Sequence, residues 1–168
     1  MHAPNHNPLI LSLPDEVATL AFGAALIPVL QPGMVVTLEG DLGAGKTTLV
    51  RGLLRGLGYG NKVKSPTYTL VEVHTVSGLN LYHFDFYRFN EPEEYVDAGL
   101  DEYFQGDGIC LVEWPDKAAP YLPSADLCIR LRVDGDGRSA EVHAASERGA
   151  LCLKNFQPLF SVSSNPIR

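Results

Sequence analysis

Gly40-Asp41-Leu42-Gly43-Ala44-Gly45-Lys46-Thr47 decides how this chain is read. The stretch satisfies G-x-x-x-x-G-K-[ST] at every fixed position and joins two segments of different periodicity. Upstream, Met34 to Glu39 is a short apolar strand; downstream, Lys46 to Leu57 carries Leu49, Val50, Leu53, Leu54 and Leu57 at helical spacing. Strand, glycine loop and helix in that order make a phosphate cradle for a physical reason. Glycines admit dihedrals closed to other residues, so successive amides converge on phosphate oxygens at the positive end of the helix. Lys46 would then bring a cation to the β and γ phosphates, and the Thr47 hydroxyl would ligate the magnesium that bridges them. The alternative is a glycine-rich helix start that binds nothing.

Charge around the loop agrees with a polyphosphate ligand. From Leu42 to Val71 the chain holds Lys46, Arg51, Arg55, Lys62 and Lys64 and no acid, although the whole chain carries a net charge of −7. Such a field attracts polyphosphate, while the last four of those residues serve equally well as a solvated helix face and loop. Two carboxylates stand at the ends of apolar runs: Asp85 in His83-Phe84-Asp85-Phe86-Tyr87-Arg88 and Glu113 in Val112-Glu113-Trp114-Pro115. A carboxylate there is costly unless it meets metal, a cation or hydrogen-bond donors, so both are candidates for the site. The competing readings are an Asp85–Arg88 salt bridge and a Glu113 cap on the Pro115 turn. Ser65-Pro66-Thr67-Tyr68 follows the basic helix where a γ-phosphate-responsive segment would sit; locally it reads as a Ser-Pro turn. His83 shares a strand face with Asp85 and reads as a core histidine. Trp114 reads first as packing and second as part of a partner or nucleotide surface.

The rest of the chain sets limits. At 168 residues it is long enough for one domain that buries roughly two thirds of its unfolded surface. Strong direct nucleic-acid binding is not expected of a chain with 20 acids and 13 bases. No Lys or Arg precedes Lys46, so a signal or transit peptide is not expected. The apolar stretch Ala18 to Leu30 is too short for a membrane span, and a cytoplasmic location is expected. Cys110, Cys128 and Cys152 lie far apart without a C-x-x-C pair, which suggests neither disulfides nor a zinc site.

Further elements follow from pattern. Ser12, Pro14, Asp15 and Glu16 read as a helix start, with the helix running to about Ile27. Thr69 to His74 and Leu79 to Tyr87 read as an antiparallel hairpin turning near Ser77-Gly78. Glu91 to Ala98 reads as an acidic helix, and Ile109 to Val112 as a buried central strand that delivers Glu113 to its end. Ala125 to Val133 and Ala140 to Ala144 read as strands about the Asp134-Gly135-Asp136-Gly137 turn, and beyond Ser146 the signal weakens.

Four segments in this order, residues 40–48, 65–72, 83–88 and 112–115, together resemble the bacterial tRNA threonylcarbamoyladenosine biosynthesis ATPase family (TsaE, formerly YjeE), and the likeness runs from about Leu13 to Val142. The loop alone is generic; the four together are specific. The resemblance implies an α/β fold, a single P-loop NTPase-like domain over residues 1–168 with a mixed β-sheet, flanking helices and an antiparallel hairpin. Residues 1–7 and about 157–168 look like flexible additions. It implies ATP and Mg²⁺ as cofactors, with Leu42, Gly43, Ala44, Gly45, Lys46, Thr47 and Thr48 around the phosphates. Thr47 and Glu113 would ligate the metal, Lys46, Asp85 and Glu113 would serve hydrolysis, and Ser65, Thr67 and Thr69 would form a switch. Glu16, Gly137 and Arg138 resemble positions bordering the bound nucleotide.

The same resemblance implies a Mg-dependent ATPase, weak alone, that joins the proteins TsaD and TsaB. Those partners place a threonylcarbamoyl group on the adenosine beside the anticodon, and ATP hydrolysis is expected to reset them between turnovers. Contact with tRNA would be indirect. Asp85 to Asp107, with eight acids and one base, is either a docking face for a partner or a solvated surface. Two other functions share the loop chemistry: a small-molecule or nucleoside P-loop kinase, and a nucleotide-gated adaptor that does not hydrolyse. An Arg-rich lid, expected of such a kinase, is missing from the sequence.

Overall fold

The computed structural model describes residues 8–60, 63 and 66–156. Residues 1–7 and 157–168, expected to be flexible ends, lie outside the described residues, as do Lys62, Lys64 and Ser65. Seven strands form one sheet: β1 (Leu9–Leu13), β2 (Val35–Glu39), β3 (Val71–Val76), β4 (Leu79–Asp85), β5 (Ile109–Glu113), β6 (Leu127–Asp134) and β7 (Gly137–Ala144). The helices are α1 (Glu16–Leu26), α2 (Lys46–Gly56), α3 (Glu93–Asp97) and α4 (Glu147–Asn155), with 3₁₀ turns at Leu100–Phe104 and Pro115–Ala118.

The strand order is β1-β7-β6-β2-β5-β4-β3. β2 runs parallel to β5 and β6, and β4 runs parallel to β5, whereas β3, β7 and β1 pair antiparallel. The sheet is therefore mixed, with a parallel centre and antiparallel flanks, and the hairpin about Ser77-Gly78 is present. Parallel strands covered on both faces are apolar along their length, as residues 109–112 of the fully buried β5 show before it ends in Glu113.

One core packs α1, α2 and α4 against the sheet through Phe22, Leu26, Leu49, Leu53, Leu54 and Cys152. Each large side chain buried there contributes about 1.5–3 kcal/mol relative to exposure. The other core is aromatic, with Phe84 stacked on Phe104 and Phe86 on Phe89 at centroid distances of 4.9 and 4.8 Å. α1 and α2 touch at glycines. A Cβ on Gly23 would sit 2.3 Å from Leu49 O, and one on Gly52 would sit 2.2 Å from Leu20 O. No side chain larger than hydrogen fits either position.

Several boundaries differ from the sequence reading. β4 ends at Asp85, not Tyr87, β7 starts at Gly137, not Ala140, and α3 is confined to Glu93–Asp97. Ser12 belongs to β1, and the cap of α1 is Asp15, whose carboxylate accepts from Ala18 N at 2.9 Å. Leu9, Leu11 and Leu13 alternate with Ile10 and Ser12, a strand pattern that a cap at Ser12 conceals. β3 starts at Val71, not Thr69, because Leu70 takes a left-handed conformation with φ of +70°. Beyond Ser146 the chain forms α4, capped by the Ser146 hydroxyl on Gly149 N. Asp126 anchors it by accepting from Ser146 Oγ, Val35 N and Arg148.

Candidate functional site

The loop from Gly40 to Gly45 joins β2 to α2 at the carboxyl edge of the parallel strands, where open α/β sheets bind ligands. All three loop glycines are required by geometry, Gly43 through a left-handed φ of +82°. Gly40 has φ of +149° and a Cβ there would meet Leu131 O at 2.5 Å; Gly45 is left-handed, with φ of +103°, and offers α2 no side-chain cap. The first amides of α2 are thus left to a ligand.

Lys46 is buried, donates from Nζ to Gly40 O, and lies 4.3 Å from the centre of the Trp114 ring. Burial pulls its ammonium below the usual lysine range, while Glu113, Asp85 and Asp41 hold it up. A polyphosphate would add anionic charge beside a largely buried ammonium.

Arg138 reaches the loop from β7. Its Nε donates to Ala44 O and one Nη to Gly43 O, both at 3.1 Å, while the other Nη donates to Gly137 O at 2.8 Å. Beside it, Glu16, Gly45, Thr48, Gly137 and Arg138 share a cleft of about 170 Å³. The resemblance implies Glu16, Gly137 and Arg138 at the border of a nucleotide and Gly45 and Thr48 around its phosphates; the fold sets all five on this one cleft. Glu16 also lies 3.8 Å from Arg51. Leu42 is exposed at the loop tip, and Thr47 is partly exposed in the first turn of α2.

Asp85 and Glu113 are register partners across the parallel β4–β5 pair, and both are buried. Asp85 accepts from Tyr87 N at 2.9 Å and from the Thr67 hydroxyl at 3.1 Å. Arg88 lies over the Tyr68 ring at 4.0 Å. Glu113 points back into the site and not to the Pro115 turn: one oxygen is 2.6 Å from His83 Nε2, the other 3.9 Å from Lys46 Nζ. Of the switch candidates, Thr67 joins the site through Asp85, whereas the Thr69 hydroxyl bonds Glu72 at 3.4 Å on the exposed side. Ser65 lies outside the described residues.

Sequence reasoning missed three contacts. These are His83 on Glu113, Trp114 over Lys46, and the grip of Arg138 on the loop carbonyls. The only sequence signal for the first was that His83 and Asp85 share a strand face. A second cleft of about 480 Å³, lined by Trp114, Asp41, Arg130 and Arg132 among others, flanks the loop on its other side.

Among the described residues no group of three or more His, Cys, Asp and Glu could hold a metal alone. A Mg²⁺ ion held by one carboxylate, a hydroxyl and substrate phosphates needs no such group. Thr47 and Glu113 fit that pattern. Glu113 Oε1 accepts no hydrogen bond among the described residues and faces the phosphate loop, which suits a hard cation.

The mixed sheet, the glycine loop and the buried lysine facing two strand-end carboxylates define a nucleoside-triphosphatase fold of the phosphate-loop class. The family model described as "Threonylcarbamoyl adenosine biosynthesis protein TsaE" matches residues 13–141, and the chain belongs to that family. It is similar to the tRNA threonylcarbamoyladenosine biosynthesis protein TsaE of Haemophilus influenzae, 43% identical over 149 residues that cover 86% of this chain and 94% of that protein. The protein of the same name from Bacillus subtilis is 46% identical over 123 residues, covering 73% and 75%. The crystal structure of Bacillus subtilis YdiB superposes with a TM-score of 0.77 at 35% identity, over 89% of this chain and 93% of that one. Among the described residues no helix is long and apolar enough to cross a membrane.

Proposed function

We propose that this chain binds ATP with Mg²⁺ and hydrolyses it, slowly alone and faster with partners, and that hydrolysis resets a TsaD–TsaB transferase between rounds of threonylcarbamoyladenosine formation. The observation that carries the reading is the buried Lys46, held at the uncapped start of α2 and facing Glu113 and Asp85.

Each residue has a distinct task. The amides at the start of α2 and Lys46 receive the phosphate oxygens, where a preorganised cation in a water-poor site is worth more than in solution. Thr47 and Glu113 would hold Mg²⁺, which supplies charge neutralisation on the β and γ oxygens. Asp85, which accepts from Tyr87 N–H and the Thr67 hydroxyl, would orient an attacking water, and Thr67 would link that carboxylate to the switch segment. Arg138 stiffens the loop by tying two of its carbonyls, and its cleft with Glu16 and Thr48 suits the nucleoside end. The acidic surface leaves tRNA to the partners.

The test is Lys46→Ala with TsaD, TsaB and tRNA present. ATPase activity and multiple-turnover tRNA modification should both fall at least about a hundredfold, since the lysine stabilises charge in the transition state. Full modification by that variant would overturn the proposal. Sustained turnover with a nonhydrolysable ATP analogue would favour an adaptor.

A further inference from the structure

The two oxygens of Glu113 have different surroundings. Oε2 lies 2.6 Å from His83 Nε2 beneath the site, whereas Oε1 faces the phosphate loop, 3.9 Å from Lys46 Nζ. In the parallel register His83 stands opposite Leu111 and Asp85 opposite Glu113. His83 is therefore one side-chain step below Glu113 on the same face of the sheet, and it is wholly buried. No other hydrogen-bond partner reaches the ring: His83 Nδ1 is buried and unpartnered among the described residues.

That orphan nitrogen assigns the tautomer. With its hydrogen on Nε2, the ring donates to Glu113 and leaves only an unmade acceptor at Nδ1. A hydrogen on Nδ1 would bury an unmade donor and set two acceptors against each other at 2.6 Å. A histidine serving packing alone has no need of this contact.

We propose that His83 is a positioning residue for the metal: by donating Nε2–H to Oε2 it fixes the Glu113 carboxylate in the orientation that presents Oε1 to the nucleotide-bound cation. The inference rests on the reading of Glu113 as a metal ligand. Without the donor, Oε2 competes for Lys46 or the cation, and the carboxylate is free to turn away from the orientation that the His83 contact sets. Outer-shell partners of this kind change metal affinity by about 10- to 100-fold.

The test measures Mn²⁺ binding to the ADP-loaded protein by electron paramagnetic resonance, which counts free ion, and ADP binding through the emission of Trp114, the only tryptophan. His83→Leu should weaken Mn²⁺ binding by about 10- to 100-fold while leaving ADP affinity in chelator unchanged. His83→Gln, whose amide can donate in place of Nε2–H, should recover most of the metal affinity. Unchanged Mn²⁺ affinity in His83→Leu, or an equal loss of metal-free ADP affinity, would overturn the proposal. Should His83→Leu fail to fold, long-range ¹H–¹⁵N spectra of the unmodified protein decide: His83, identified by its loss in His83→Gln, should be the Nε2–H tautomer, and the Nδ1–H form overturns the idea. A native protein whose ADP binding does not respond to Mn²⁺ overturns the reading of Glu113 too; a native response that His83→Leu fully retains overturns only the role of His83.

Discussion

At the scale of single residues, burial decides which chemistry stays silent. Burial pushes the Cys110 thiol up to about 12, and it raises Cys152 too, with Asp126 adding to the effect and Arg148 opposing it. Cys128, on β6, is only partly buried. At pH 8 a disulfide reagent should therefore modify one thiol of the native protein rapidly, at Cys128, and the other two only on unfolding, as peptide mapping would reveal. His74 behaves differently because an imidazole ordinarily titrates near neutrality. Burial lowers its pKa, nearby His83 lowers it further, and Glu72 opposes both. The unfolded chain thus binds a proton that the folded chain resists, so stability falls as pH drops below the ordinary histidine value of about 6.5. His74→Phe keeps the edge contact to Tyr59, whose centroid is 5.1 Å away, and should flatten the slope of stability just below pH 6.5 in urea melts. An unchanged slope would remove His74 as its source.

At the scale of elements, the α1–α2 seam sets the position of the phosphate loop, because α2 begins where the loop ends. Gly52→Ala gains about 1 kcal/mol of helix propensity. It also places a methyl 2.2 Å from Leu20 O, and forced overpacking costs more, commonly 1–3 kcal/mol. The expected net result is a lower melting temperature and weaker ADP binding, measured by calorimetry; a variant as stable as the parent would show that the seam yields freely. This seam was not legible in the sequence, where Gly23 stands only as an interruption of an apolar stretch. Local periodicity did reveal β2, the loop, α2, the hairpin and β5, since each is specified by neighbours along the chain. It concealed β1, a five-residue strand whose partner is β7, and α4, whose cap at Ser146 was the available signal. The same division holds within the site. Lys46, Asp85 and Glu113 follow from motif and strand ends, whereas the pairing of His83 with Glu113 needs the register of β4 against β5.

At the scale of the whole molecule, the charge of −7 resolves into separate regions. Lys46 is buried at the loop and Arg51 is paired with Glu16, while Glu91, Glu93, Asp97, Asp101, Glu102 and Asp107 are exposed on and around α3. A ligand that ties the loop, β7 and the carboxylate strands together should stabilise the entire fold. With Mg²⁺, ADP at a hundred times its Kd contributes about 2.7 kcal/mol, which for a chain of this size raises Tm by roughly 5–10 °C. Thermal denaturation should show that shift in the native protein and lose it in Lys46→Ala; equal shifts in both would place the nucleotide elsewhere.

The pairing of β1 with β7 also sets an order of events during synthesis. The ribosome makes β1 well over a hundred residues before its mate β7, so Leu9 waits unpaired until Val142 has emerged. Arg138, which ties the carbonyls of Gly43 and Ala44, arrives on that same late strand. A nascent chain that stops short of it has the glycine loop without its brace and β1 without a neighbour. Such long-range closure is slow compared with local folding. Truncation after Asp134 consequently removes two strands from the sheet, one by deletion and one by abandonment.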